Sequence, residues 1–434
     1  VFRPTGFADL VDRRVGIFGY GIEGRAAAAR LRPVAELVIV DDLDDLGPEV
    51  IASRRGGLEA LLACDVVLKS PGIPRRREDV ADLERHGVAV TSALNLWLHD
   101  TEPARVVAIT GTKGKSTTTA LTSFFLRCLG EEAQALGNIG RPPYDPSVDT
   151  SSGWLILEVS SFQAVDIDRA PGIIVVTSLG ADHIDWHGTL EQYRIDKLSL
   201  TRANGAHLTL VADTPILHQL EDQMGGELHY VVRDSSHLAA TLGLIGAHND
   251  SNVALAIAAV AALTGAMEGD VREIVAAQAA NFEPLRGRLT LVAVEEANGE
   301  TVRYVDDGLA TSVLPAVAAL EVFEDDPVAL IAGGFDRGVD YAELAEAVVE
   351  RRSPTALITM GNAGLRISRD VASRRSDVVQ HTASTMTEAV QLARDSLECG
   401  GVVLLSPAAP SFDRYHNWEE RSEDFTSIVH ALVD

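Results

Sequence analysis

The 434 residues carry a formal net charge of −26 with 46% hydrophobic side chains, which excludes nucleic acid as the partner and a disordered chain as the state. Cys64, Cys128 and Cys399 are odd in number and dispersed, with no C-x-x-C pair, so neither a disulfide framework nor a zinc ribbon is supported and a reducing cytoplasm is the expected compartment. No apolar run reaches the roughly 18 residues of a membrane span and the first residues show no leader pattern, so no membrane is expected as partner. At about one domain per 150 residues the length implies two to four domains, and three is the expectation.

In chain order, Arg14 to Phe18 reads as a strand entering Gly19-Tyr20-Gly21-Ile22-Glu23-Gly24, a G-x-G-x-x-G turn followed by an Ala-rich helix. A second strand, Leu37 to Val40, ends at Asp41. On pattern alone this is a dinucleotide fingerprint, with Asp41 about where a ribose partner would sit. Asp65 to Lys69 reads as a strand stopping at Ser70-Pro71-Gly72, which places Ser70 and Gly72 at a carboxyl sheet edge, where open α/β sheets bind ligands. Arg75 to Asp79 reads as a solvated charged face.

The next strand leads into Thr110-Gly111-Thr112-Lys113-Gly114-Lys115-Ser116-Thr117 and a helical run. A glycine-rich turn exposing backbone N–H groups, followed by a helix N-terminus, makes an anion cradle for a nucleotide triphosphate. Lys115 would reach the outer phosphates, and the Ser116 or Thr117 hydroxyl would serve Mg²⁺. The loop is shorter than G-x-x-x-x-G-K-[ST], because position 109 is Ile. Strands are expected at Trp154 to Leu157, Gly172 to Val176 and His207 to Val211, and a buried helix over Asn252 to Leu263. Glu158 closes a strand, where it either holds Mg²⁺ or faces solvent. His183 and His187 have the i, i+4 spacing of a zinc pair, but no third thiol or imidazole accompanies them, and His183 assisting Mg²⁺ is the better use. From its chemistry alone Lys197 is an exposed lysine on a helix. Asn249 and Asn252 either cap the buried helix or face a ligand. Beyond Pro284, strands at Thr301 to Val305, Val328 to Ala332, Ala356 to Met360 and Val402 to Leu405 alternate with helices and imply a third doubly wound sheet.

These motifs, in this order along nearly the whole chain, resemble the muramyl peptide ligases, ATP-dependent amide-forming enzymes of cell-wall precursor assembly. Their carriers are T-G-T-x-G-K-S-T, Gly137-Asn138-Ile139-Gly140, Glu158 to Gln163, Asp182-His183-Ile184-Asp185, Lys197, His248-Asn249-x-x-Asn252, Arg288, Asp307, Gly333-Gly334 and Leu405-Ser406-Pro407. The resemblance implies three α/β domains: a Rossmann-like UDP-binding domain over 1–103, a central phosphate-loop ATPase-like domain over 104–283, and a Rossmann-like C-terminal domain over 284–434. It implies that Gly19, Gly21, Gly24, Asp41, Ser70 and Gly72, with Asn138, Ser160 and Gln163, hold the UDP-linked substrate and not NAD. Gly111 to Thr117, Asn249, Asn252, Arg288 and Asp307 would hold ATP. Two Mg²⁺ ions would be served by Ser116, Thr117, Glu158, His183 and a carbamylated Lys197, with Lys115, His183 and Lys197 catalytic.

Within the family the chain looks closest to members that add glutamate to UDP-N-acetylmuramoyl-L-alanine, and a monomer is the default expectation. Its departures collect at the amino-acid pocket, expected at Thr311, Arg337, Ser411 and Trp418. Where N-D-S-K-A-T is usual the chain reads Asp306-Asp307-Gly308-Leu309-Ala310-Thr311, so Leu309 replaces a lysine. Arg337 stands for another lysine, and its planar fork is not equivalent to a point charge. Pro410 precedes Ser411, and Trp418 stands where Phe is usual. Together these look like the branch that adds L-glutamate, the alternative being drift in a D-glutamate enzyme. A dehydrogenase would leave the phosphate loop, Glu158 and His183 without work, and a folate polyglutamate ligase would not need the first domain. A silent scaffold is disfavoured by the retention of Lys115, Glu158, His183 and Lys197.

Overall fold

The computed structural model describes residues 2–297 and 299–433. Among them three sheets form, in chain order. The first has five parallel strands, β1 (Arg14–Phe18), β2 (Glu36–Asp41), β3 (Val50–Ala52), β4 (Val66–Lys69) and β5 (Ala89–Thr91), in the order β3-β2-β1-β4-β5. Val15, Ile17, Phe18, Val66 and Val67 are fully buried, because helices cover both faces of a parallel sheet. Gly19 lies at φ +96°, and a Cβ on Gly24 would overlap the Gly19 carbonyl oxygen. Only glycine therefore lets the helix Ile22–Leu31 pack this closely on the end of β1.

The second sheet is also all parallel. It comprises β6 (Val106–Thr110), β7 (Ala133–Gly137), β8 (Trp154–Glu158), β9 (Ile173–Val176), β10 (Leu208–Ala212) and β11 (Glu227–Val231), ordered β11-β10-β9-β6-β8-β7. The chain departs to one side of β6 and returns to the other, so the end of β6 is a topological switch point. The helix His248–Thr264 contains an unbroken buried run from Asn252 to Val260, as its all-round apolar sequence predicts.

The third sheet contains β12 (Thr290–Ala297), β13 (Glu300–Asp306), β14 (Val328–Gly333), β15 (Thr355–Met360), β16 (Val379–Thr382) and β17 (Gly401–Leu405), ordered β12-β13-β17-β14-β15-β16. It is not wholly parallel, because β12 pairs antiparallel with β13 as an edge strand. Two buried clusters form its core. One includes Leu330, Leu344 and Ile367, the other Ile331, Ile358 and Phe425, one for each face of the sheet.

The chain divides into two compact units. One is Val1–Leu238 with Asp250–Ala279 and holds the first two sheets; the other is Ala239–Asn249 with Ala280–Asp434 and holds the third. Among the described residues no single helix is long and apolar enough to cross a membrane. Two sequence expectations are corrected. The Arg75 to Asp79 segment is not simply a solvated face, since Arg76 donates to both oxygens of Asp196, at 2.8 and 2.6 Å. Lys197 is not exposed but 2% accessible.

Candidate functional site

The strand β6, buried throughout, delivers Gly111 at φ +144°, where a Cβ would overlap the Thr177 hydroxyl. Gly114, left-handed at φ +85°, caps the helix Lys115–Cys128 and lies against the Asn252 carboxamide, so both turns require glycine. The loop is held from β9. Thr112 N–H donates to the Ser178 carbonyl (2.9 Å), Lys113 N–H to the Ser178 hydroxyl (2.8 Å), and the Thr177 hydroxyl to the Lys113 carbonyl (2.5 Å). Thr177 and Ser178 escaped the sequence reading, although small hydroxyl residues at the end of the strand beside a phosphate loop were its available signal. Lys115 Nζ donates to the carbonyls of Gly111 (2.9 Å) and Thr112 (3.0 Å). Ser116 is buried and Thr117 half-buried in the first helical turn, so the hydroxyls sit beside the cradle. The Asn252 carboxamide oxygen accepts from Thr118 (3.3 Å), and Asn249 donates to the Ile245 carbonyl (2.8 Å).

Beside the loop, Glu158 is 1% exposed at the end of β8. Its Oε1 accepts from Asn138 (2.7 Å), while its buried Oε2 has no hydrogen-bond partner. A buried, unsatisfied carboxylate oxygen is costly unless something positive or donating meets it. Lys197 Nζ donates to the Gly111 carbonyl at 2.9 Å, the same oxygen that Lys115 uses. Burial and then the charge of Lys115 hold the Lys197 amine well below the ordinary lysine range. His183 adopts a left-handed backbone (φ 50°, ψ 39°), uncommon for a residue with a Cβ, and its exposed ring packs on Phe162 at 4.8 Å. His187 does not join it as a ligand pair, because its two ring nitrogens are engaged by Asp196 (2.7 Å) and Ser161 (3.0 Å). Among the described residues no three His, Cys, Asp or Glu side chains converge. Hydroxyls, one carboxylate and one imidazole fit Mg²⁺, which keeps several waters and phosphate oxygens and uses few protein ligands.

On the first sheet, Asp41 accepts from the Tyr20 (2.6 Å) and Leu43 (2.8 Å) amides, and Ser70 Oγ donates to the Gly19 carbonyl (2.6 Å). These bonds pin the glycine turn to the loop after β4. Gly21 and Gly72 have open space where a Cβ would project. Ser160 and Gln163 form a capping box on the short helix Ser161–Ala164, and Gln163 also donates to Glu23 (2.7 Å). Ion pairs tie this sheet to the second, among them Lys69 to Asp166 (2.7 Å), both buried, and Arg76 to Asp196.

On the third sheet, Asp306 and Asp307 lie at the end of β13, Gly333 and Gly334 at the end of β14, and Ser406 follows β17, so one carboxyl edge gathers them. Asp307 accepts from the Ser406 hydroxyl (2.7 Å); burial and then neighbouring Asp306 raise its pKa to about 7 despite that bond. Thr311 N–H closes a turn onto the Leu309 carbonyl (2.8 Å), and Ser411 is buried, its carbonyl accepting from Arg414 and Tyr415. The Arg337 guanidinium lies 5.9 Å from the Phe412 ring centre, and the Trp418 ring covers Gly287. Arg288 also belongs to this unit. Arg421, which the sequence reading missed, is 4% exposed and donates to the Gly308 and Ala409 carbonyls, each at 3.1 Å.

Residues 109–260 match the model of the Mur ligase middle domain. The UDP-N-acetylmuramoyl-L-alanine–L-glutamate ligase of Micromonospora sp. is 36% identical, the match spanning 97% of each chain. That of Xanthomonas euvesicatoria is 33% identical over 97% of this chain and 96% of its own. A UDP-N-acetylmuramoylalanine–D-glutamate ligase of Symbiobacterium thermophilum is 34% identical over 90% of this chain and 89% of its own. Among solved structures, the UDP-N-acetylmuramate–alanine ligase of Thermotoga maritima superposes with a TM-score of 0.56 at 15% identity, covering 97% of this chain and 100% of that one. The pseudomurein peptide ligase type C of Methanothermus fervidus gives 0.54 at 14% identity, with the same coverage. At these identities the likeness is one of fold.

Proposed function

The chain belongs to the Mur ligase family, and from that premise we propose that it adds L-glutamate to UDP-N-acetylmuramoyl-L-alanine, consuming ATP, in the building of peptidoglycan precursors. The observation that carries the reading is the set of groups around Gly111: a phosphate cradle with Lys115, the unsatisfied oxygen of buried Glu158, and the buried amine of Lys197. The substrate carboxylate attacks the γ-phosphorus of ATP and the bond to the β,γ-bridging oxygen breaks, giving ADP and an acyl phosphate. The loop amides and Lys115 stabilise the charge on the transferring group. The glutamate amine, having lost a proton, then attacks the acyl carbon, and the tetrahedral intermediate collapses with loss of phosphate.

Ser116, Thr117, Glu158, His183 and Lys197 would hold two Mg²⁺ ions, which offset negative charge on the phosphates. Lys197 serves there as a carbamate. Burial and the charge of Lys115 depress the pKa of this amine, which favours the neutral form that attacks CO₂. The first sheet, over 1–103, takes the UDP moiety at Gly19, Gly21, Gly24, Asp41, Ser70 and Gly72, with Asn138, Ser160 and Gln163 contributing from the second. The central domain, 104–283, takes ATP, with Asn252 beside the loop and Asn249 as a further ATP-binding residue. The C-terminal domain, 284–434, contributes Arg288 and Asp307 to ATP and binds glutamate at Thr311, Arg337, Ser411 and Trp418. The enzyme works in the cytoplasm as a monomer on small molecules.

L-glutamate is the enantiomer favoured by Leu309, Arg337, Pro410 and Trp418, which depart from the D-glutamate pattern, and by the L-glutamate name of relatives at 36% and 33% identity that match over 97% of this chain, against 90% for the D-glutamate relative at 34%. The test is phosphate release from ATP, Mg²⁺ and UDP-N-acetylmuramoyl-L-alanine with each enantiomer. Turnover with L-glutamate at the higher kcat/KM is expected. Preference for D-glutamate would overturn the enantiomer assignment, and turnover with neither would overturn the substrate assignment.

A further inference from the structure

The loops assigned to glutamate come from three places in the chain, yet one buried group joins them. The Arg421 guanidinium donates through one terminal nitrogen to the carbonyl of Gly308, in the turn leading to Thr311. The other donates to the carbonyl of Ala409, in the loop leading to Ser411. A Cβ on Gly334, where the chain turns towards Arg337, would sit 3.3 Å from that second nitrogen. Backbone bonds complete the junction: Ala408 N–H to the Ala310 carbonyl (2.8 Å), Gly333 N–H to the Pro407 carbonyl (2.7 Å) and Phe335 N–H to the Pro410 carbonyl (2.9 Å). Thr311, Ser411 and Arg337 are therefore set by a common framework.

Next to Arg421, Ser422 donates to Asp306 Oδ1 at 3.0 Å. Asp306 also accepts from the amides of Gly308 (2.8 Å) and Gly287 (3.1 Å), so its carboxylate fixes the start of the same turn from within. A side chain at position 308 would exclude this arrangement, since a Cβ there would overlap the Ser422 hydroxyl and lie 2.9 Å from Asp306 Oδ1. Positions 306 and 308 are two at which this chain has Asp and Gly in place of the Asn and Ser of the D-glutamate pattern. The two departures thus interlock in space with Ser422.

We propose that Asp306, Gly308 and Ser422, clamped by Arg421, are the positioning residues that set the pocket's preference for L-glutamate, none of them touching the amino acid. The proposal rests on the glutamate reading above. With the amine aimed at the acyl carbon and the side-chain carboxylate fixed, the enantiomers differ in where the α-carboxylate falls. Discrimination therefore lies in the placement of the turn carrying Thr311, and a displacement of about 1 Å can cost on the order of a hundredfold in rate.

The test is kcat and KM for L- and D-glutamate in the enzyme, its Asp306→Asn and Gly308→Ser variants, and the Gly308→Ser/Ser422→Gly pair, in which the overlap with Ser422 is relieved. Asp306→Asn alters charge without volume and keeps the test readable if the glycine variant does not fold. The expected result is a fall of about tenfold or more in the L-to-D ratio of kcat/KM, through KM for L-glutamate, with KM for UDP-N-acetylmuramoyl-L-alanine unchanged. Folded, active variants whose ratio stays at the parent value would overturn the proposal and leave the glutamate reading intact. Failure of the parent enzyme to use either enantiomer would overturn both.

Discussion

At the scale of single residues, the chemistry of this chain turns on groups whose burial changes what they are. Lys197 reads in the sequence as an ordinary helical lysine, and only the fold, by burying its amine on the Gly111 carbonyl beside Lys115, holds its pKa well below the ordinary lysine range. If it carries a carbamate, incubation with ¹³C-bicarbonate should give a carbamate carbon resonance that disappears in Lys197→Arg, and Lys197→Ala should lower kcat by about a hundredfold or more. Asp307 is displaced in the opposite sense. Its folded pKa, about 7, lies above its ordinary value of 3.8, so the native state binds a proton that the unfolded chain has released. That contribution to stability is complete below the ordinary carboxylate range and is lost as pH rises to about 7. Thermal melts across that window should show a falling midpoint in the parent, and Asp307→Asn should flatten the fall. A midpoint independent of pH in the parent would refute the assignment.

Among the elements, those that read clearly from sequence are the central parallel strands, whose unbroken apolar runs admit few alternatives: β1, β6, β8, β9, β14, β15 and β17 fall within a residue or so of expectation. The short edge strands β3, β5, β7, β11 and β16 did not stand out, because an edge is half-wetted and its residues mix polar with apolar. The antiparallel β12 was missed for another reason. Its signal was the Asn298-Gly299 dipeptide between two β-prone runs, a hairpin cue outweighed by the expectation of βα alternation. The phosphate loop was legible because its glycines are required by backbone shape. Gly114→Ala would strain a φ of +85° and press a methyl group on Asn252, costing about 1–2 kcal/mol and more once ATP must be gripped. ATP titration calorimetry should show loss of affinity, with affinity for the UDP-linked substrate unchanged. Ion pairs such as Arg76 with Asp196 were not legible at all, since 120 residues separate the partners and neither sits in a motif.

For the molecule as a whole, the first two sheets form one compact unit, and the ties between them include two pairs that close on acidic residues of the second sheet's segment. Arg76 is half-exposed, so losing its bidentate bond costs about 1–2 kcal/mol after allowance for solvent screening. Arg76→Ala should accordingly lower the urea midpoint, and KM for the UDP-linked substrate should rise more than KM for ATP. Lys69→Met should cost more, because it leaves the buried Asp166 carboxylate with Arg75 alone, at 3.8 Å. These ties also decide where homologous chains can recombine. A crossover at residue 103 would separate Lys69 and Arg76 from Asp166 and Asp196, whereas crossovers at 239 and 280, together with the return at 250, follow the unit's own boundary. Chimeras that exchange only the unit of the third sheet between L- and D-glutamate relatives should express as folded protein. Those that exchange only the first sheet's segment should do so only when Asp166 and Asp196 travel with it.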